Sequence, residues 1–272
     1  MNLRAVWAIA RKDLLAVRRS RGVMLPLVLV PLLIFIGLPA LIGGVLANVP
    51  VESSDLDDLE RLVREMPTAV QQELGRYSPT QRVLVLTLNQ LLAPLYLLVP
   101  LMVSVVIAAD SLAGERERKT LEALLYTPIS DRELLLGKLL SAWVPATLVG
   151  LAGFVVYGLT ANLVAWPVMG RIFFPNATWL ALALWTGPAV AGLGLGVMIQ
   201  VSARVRGFQE AYQLGGLVVL PFVALMVSQS VGLVYVDPWL ALALGVIIWG
   251  VDALLLWLGS RALQRDSLLL RQ

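Results

Sequence analysis

The sequence predicts an all-α polytopic membrane protein: six transmembrane helices, an N-terminal interfacial helix, a small helical extracytoplasmic insertion and a charged cytoplasmic loop. Three observations predict it. Of the 272 residues, 58% are hydrophobic and only 14% charged, against about 45–50% and about 25% in a typical soluble domain. The apolar residues come in runs matching the roughly 20 residues that cross a bilayer. Finally, Lys and Arg alternate between rich and poor loops along the chain, the bias that orients membrane helices.

Residues 1–21 come first. Leu3, Val6, Trp7, Ala10, Leu14 and Val17 fall on one helical face, with Arg4, Arg11, Lys12, Arg18 and Arg19 on the other. This is the pattern of a helix lying in the membrane interface. Residues 22–46 are apolar for longer than the roughly 7–15 residues of a signal-peptide core, so they read as the first membrane helix. In 47–82, Ser54 is suited to cap a helix whose first turn holds Asp55, Asp57 and Asp58, favourable at its positive end. Leu56, Leu59, Val63 and Met66 form its stripe and Pro67 ends it. A second short helix reaches Gly75, and Ser78-Pro79 starts another with proline at the first position. Seven carboxylates face four arginines in this insertion, a solvated cap or a cation-attracting vestibule.

Residues 83–109 form the second predicted span. The 110–138 segment that follows carries eleven charges in 29 residues. After Gly114 it is helix-forming. Leu121, Leu124 and Leu125 make an apolar patch beside Glu115, Arg118, Lys119 and Glu122. Thr127-Pro128 ends that helix. Ser130 is placed to cap the next one, with Glu133 at the capping-box position. Such an element, held between two spans, suits a docking lever; the plainer alternative is a solvated hairpin. Residues 139–165 form the third span, 166–179 an aromatic-bearing turn, and 180–201 the fourth span. Gly187, Gly192, Gly194 and Gly196 give that helix a face for close packing. After the basic loop 202–210 come spans 211–235 and 238–260, broken at Val236-Asp237-Pro238. A re-entrant course near Ser228-Gln229-Ser230 stays open as an alternative to full crossing. Lys and Arg number sixteen in the N-terminal segment, the 110–138 and 202–210 loops and the tail, against five in the other two loops. This assigns both termini and the 110–138 loop to the cytoplasm.

The chain has no cysteine and no histidine, which removes thiolate chemistry, the commonest general base and the commonest metal ligand. GLGLG at 192–196 has no lysine and no preceding strand, so it reads as helix packing and not as a phosphate loop. No catalytic residues and no metal site emerge. Asp252 is the one carboxylate inside a span; such a group is costly and often functional, the alternative being a pairing with a neighbouring helix or a reach to the cytoplasmic interface. Asn89, Gln90, Asn162, Gln200, Gln213 and Gln229 are the polar residues suited to helix–helix bonding. Asn89, Gln90, Gln213, Gln229 and Asp252 are the candidates for a translocation path.

AGERERKTLEALLYTPISDRELLLGK, directly after a span, resembles the signature of ABC exporter permeases of the type-2 superfamily. The matching residues are Glu115 to Lys119, Thr120-Leu121-Glu122, Leu124-Leu125, Thr127-Pro128-Ile129-Ser130 and Gly137-Lys138. RVRGFQEAYQLGGLVVLP (204–221) resembles that family's stretch entering the fifth helix, and ARKDLLAVRRSR its elbow helix. The insertion after the first helix is similar to that of the sodium-efflux-pump-like branch. The resemblance implies a non-catalytic permease subunit of an ATP-driven exporter in the cytoplasmic membrane. It implies two ATP-binding subunits, which bind ATP and Mg, and a second permease, identical or homologous; this chain binds no cofactor itself and no nucleic acid. It implies an ATPase-coupling interface formed by Glu115, Arg116, Glu117, Arg118, Lys119, Thr120, Leu121, Glu122, Leu125, Thr127 and Pro128, with Arg204 and Arg206 as a smaller contact. The alternative is a membrane scaffold, or a force-transducing ABC-type subunit that moves no small substrate.

Overall fold

The computed structural model describes residues 2–48, 63–64, 71, 74–118, 120, 129–205 and 207–262. Among them every regular element is helical. Six helices are long and apolar enough to cross a membrane: Gly22–Leu46, Pro79–Glu117, Arg132–Met169, Ala177–Ser202, Phe208–Ser230 and Pro238–Gly259, here the first to sixth spans. Helix α1 (Leu3–Arg19) precedes them. The expected Ser54 cap, its helix apart from Val63 and Arg64, and residues 121–128 of the charged segment lie outside the described residues.

The second and fourth spans form the interior. Some 78% and 72% of their apolar windows are buried, against 17–28% for the other four. Small residues permit the close approach. A Cβ on Gly194 would lie 2.3 Å from Ser104 Oγ and 3.0 Å from the Leu101 carbonyl oxygen of the second span, so these helices meet nearly backbone to backbone. On the third span Ala142, Ala146, Ala161 and Ala165 are fully buried. The Phe35 ring of the first span lies so close over Gly153 that no side chain fits there. The fifth span packs on the second, and the sixth on the fourth.

Local sequence sets the helix ends. Ser78 and Gln81 form a capping box with Pro79 in the first turn, and Ser130 and Glu133 form the one expected from their spacing. The third helix then runs unbroken from Asp131 to Met169, 39 residues, well beyond the roughly 20 a bilayer needs. The second helix overruns likewise, through a widened π-type turn at Asp110–Gly114 to Glu117. Both ends of the charged segment are therefore helical extensions of spans.

At the opposite end, a second widened turn at Leu86–Leu91 interrupts the regular hydrogen bonding of the second span. Its Leu88 carbonyl accepts from Tyr157 OH at 2.5 Å and its Asn89 carbonyl from Trp179 Nε1 at 2.8 Å. Tyr157 and Trp179 stack at 4.4 Å, with Phe174 edge-on to both. This aromatic group bonds the third and fourth spans to the second.

Candidate functional site

The charged end of the bundle contains a buried joint between α1, the end of the second-span helix and the start of the third. Lys138 lies at its centre and is almost fully buried. Its Nζ donates to the Ser111 carbonyl at 2.6 Å, to Ser111 Oγ at 3.1 Å and to Glu115 Oε2 at 2.7 Å. Asp13 Oδ2 lies 3.5 Å from the same ammonium and accepts from Ser111 Oγ at 2.8 Å and Ser141 Oγ at 3.2 Å. Lys12 closes the group from outside, paired with Glu115 and 3.1 Å from Asp13 Oδ1. The latter approach is an ion pair not aligned as a hydrogen bond. Two lysines and two carboxylates thus neutralise one another across three helices, the arrangement that buried charges require.

Helical spacing produces this joint. Asp13 falls on the same α1 face as Val6, Ile9, Ala10 and Val17, all buried. Ser111 and Glu115 are four apart on one helix, and Lys138 and Ser141 three apart on another, so each pair shares a face. Gly137 lets α1 approach: a Cβ there would sit 2.8 Å from Ile9 Cβ. Burial pushes the Asp13 carboxyl up, but Lys138, Lys12 and the Ser111 hydroxyl outweigh it and hold the group below its ordinary range. Burial opposes charge on Lys12 too, yet its bond to Glu115 and the nearby Asp13 charge hold it above its ordinary range.

The next residues reach a fourth element. Arg116 Nη1 donates to the Ser202 carbonyl at 2.8 Å, where the fourth span ends. Glu117 Oε2 accepts from the Phe208 N–H at 2.9 Å, where the fifth begins. Gly207 permits that contact, since a Cβ would lie 2.9 Å from the same carboxylate oxygen. Arg118 turns back to Asp110 at 3.0 Å, and Thr120 Oγ1 donates to the Glu115 carbonyl at 3.2 Å. So the 115–120 motif and the 202–208 loop, expected separately from sequence, are in direct contact. Glu115 points into the protein, whereas Glu117, Arg118, Thr120 and Arg204 are exposed. Lys119, Leu121, Glu122, Leu125, Thr127, Pro128 and Arg206 lie outside the described residues.

The five candidate path residues do not form one cluster. Asn89 and Gln90 are buried in the widened turn of the second span, each with a side-chain oxygen lacking a partner. Gln229 lies on the part of the fifth span that packs against that turn, its side-chain atoms also without partners. Gln213 is exposed on the fifth span. Asp252 is on the other flank, between the sixth and fourth spans, where a Cβ on Gly192 would lie 2.4 Å from its Oδ2. Neither Asp252 oxygen has a hydrogen-bond partner. Gln200 bonds the Leu255 carbonyl at 3.0 Å, the helix glue expected of it, whereas Asn162 clasps the non-helical backbone of Phe173 and Phe174 and so holds a turn and not a second helix.

Sequence reasoning missed Asp13, Ser111, Lys138 and Ser141 as a unit. The available signal was Asp13 itself, an acid within the apolar stripe of a basic helix. Among the described residues no group of acidic side chains gathers as a metal site, and the carboxylates of the joint are committed to lysines. A family model described as an ABC-2 family transporter protein matches residues 7–239. A comparison with curated proteins gives no match.

Proposed function

Because the chain belongs to the ABC-2 transporter family, a multi-pass membrane permease whose family works with an ABC ATP-binding subunit, we propose that it is the permease half of an ATP-driven exporter. Two copies of the ATP-binding subunit, carrying ATP and Mg, pair with this chain and a second permease. Both termini and the 110–138 segment face the cytoplasm, and the membrane is the inner one. ATP-driven closure of the partner displaces the segment after Glu117, and the spans follow toward an outward-open state. Asn89, Gln90 and Gln229 line the route, at the face where the second and fifth spans meet. Asp252 is a separate element.

The observation that supports this reading is the connectivity of one short stretch. Glu115 is bonded to Lys138 and Lys12, Arg116 to the end of the fourth span and Glu117 to the start of the fifth. A push on the chain just beyond these residues is delivered to α1 and four spans at once. In this role Glu115 is an internal anchor, Arg118 and Thr120 hold the turn against Asp110 and Glu115, and the exposed Glu117 leads into the partner contact.

The test is co-purification of the detergent-solubilised chain with an ATP-binding subunit encoded beside it, read together with ATP hydrolysis. Glu122→Ala/Leu125→Ala changes the segment and spares the buried joint. Loss of binding with the fold intact supports the reading. Unchanged binding and hydrolysis sinks it and favours a scaffold with a solvated hairpin.

A further inference from the structure

An open cleft of about 420 Å³ lies between α1 and the end of the second-span helix, lined by Lys12, Arg19, Ser20, Arg118 and Thr120. Asp110 and Glu115 also border it, but their charges are spent. Glu115 is paired with Lys138 and Lys12, and Asp110 with Arg118. The donors are not spent. Lys12 and Arg118 remain 43% and 51% exposed at the side chain, and an ammonium carries three donors and a guanidinium five. Arg19 is exposed and has no ion pair among the described residues. Ser20 joins α1 to the first span with its hydroxyl in no capping bond. The cleft therefore offers cations and the Ser20 hydroxyl to an anion, above carboxylates already neutralised from within.

Its depth identifies the anion. Ser20 lies just before the first span begins at Gly22. That puts the α1 side of the cleft where apolar helix gives way to water, the level of lipid phosphates, and Arg118 meets it from the helical extension of the second span. Helix α1 leads into the cleft with Leu3, Trp7 and Leu15 exposed, as on a helix lying along that boundary. We infer that this cleft binds the phosphate of an anionic lipid headgroup, held by Arg19, Lys12 and Arg118 with the hydroxyl of Ser20. A lipid seated there ties α1 to the 115–120 motif. This inference needs only membrane insertion and does not depend on the exporter reading.

The experiment is native mass spectrometry of the purified full-length chain with phosphatidylglycerol or phosphatidylcholine, comparing Arg19→Gln with Arg4→Gln, a cation at the far end of α1. The expected result is one phosphatidylglycerol retained per chain in preference to phosphatidylcholine. Arg19→Gln weakens that retention about tenfold, the loss of one charge-assisted bond, and Arg4→Gln weakens it far less. Ser20→Ala, which removes a hydroxyl and no charge, weakens it as well. Unfolding midpoints without lipid show that the variants are folded. Equal losses in Arg19→Gln and Arg4→Gln overturn the site in favour of diffuse attraction. Equal retention of the two lipids overturns it too. Displacement of the lipid by millimolar inorganic phosphate overturns the lipid as the source and assigns the cleft to free phosphate.

Discussion

Asp13 and Asp252 are both 2% exposed, and they could hardly be treated more differently. Asp13 has two lysines and two hydroxyls around it; Asp252 has the bare backbone of Gly192 and no partner for either oxygen. A paired buried charge is a fixed joint whose cost appears when one member is removed. An unpaired one already bears its desolvation cost in the folded state, so little is lost when it goes. The difference makes the charged end of the bundle a fixed structural joint, and leaves Asp252 as a buried carboxylate with no partner in this conformation of the chain.

The largest effect should come from Lys138→Met. It leaves Asp13 and Glu115 buried with only Lys12, and removing one member of such a group costs about 3–5 kcal/mol. Loss of folded protein in detergent, or a large fall in the unfolding midpoint, is the readout. Lys138→Met/Glu115→Gln should recover part of it, and failure to recover would mean Lys138 acts through packing alone. Asp13→Asn comes next, at about 1–3 kcal/mol, since the hydroxyl bonds survive and the charge pairs do not. Its pH dependence has a definite sign. A carboxyl held below its ordinary value stabilises the fold above roughly pH 4 and loses that contribution as pH falls through the lowered value. The gap between wild type and Asp13→Asn should therefore be constant near neutrality and close in acid. Lys12, held above its ordinary range, contributes below roughly pH 10 and loses its share as pH rises past that.

Gly192→Ala probes the other aspartate. The added methyl would meet Asp252 Oδ2 at 2.4 Å, so the carboxylate must swing or the helices part. A cost of about 1–3 kcal/mol is expected, and Asp252→Ala in the same chain should remove much of it. Double-mutant coupling between contacting residues runs to about 0.5–3 kcal/mol. Additive effects would mean Gly192 matters for backbone approach and not for room beside Asp252.

How legible these two regions were depends on distance along the chain. The spans, the helix start at Ser78-Pro79, the capping box at Ser130, and the packing role of Gly192, Gly194 and Gly196 rest on neighbours within a turn or two, and local pattern reveals them. The joint rests on pairs such as Lys138 with Asp13, 125 residues apart, which no local pattern specifies. The apolar face of α1 shows the same limit. Leu3, Val6 and Trp7 read as one stripe, yet Val6 is buried against the protein while Leu3 and Trp7 are exposed. Hydrophobicity marks what avoids water, but in a membrane protein it does not separate what meets lipid from what meets another helix. Asp252 was visible as an unusual residue, and its orphaned state was not, because that is a property of the fourth span facing it.

The smallest effect should be that of Asp252→Asn. No bond made by its carboxylate is lost, and the amide is nearly the same size, so stability should change by less than about 1 kcal/mol or rise slightly. Measured beside Asp13→Asn in the same detergent, this pair of substitutions holds burial and chemistry nearly constant and varies only the partners. If the two cost the same, the contrast fails and Asp252 has a partner that this conformation does not bring to it. The place to look would then be the exposed side of the sixth span, where Trp239, Val246 and Ile247 face outward. If Asp252→Asn is neutral for stability but alters ATP hydrolysis by the assembled complex, the carboxylate is kept for what it meets during the cycle. That outcome alone would separate a working intramembrane acid from a tolerated one.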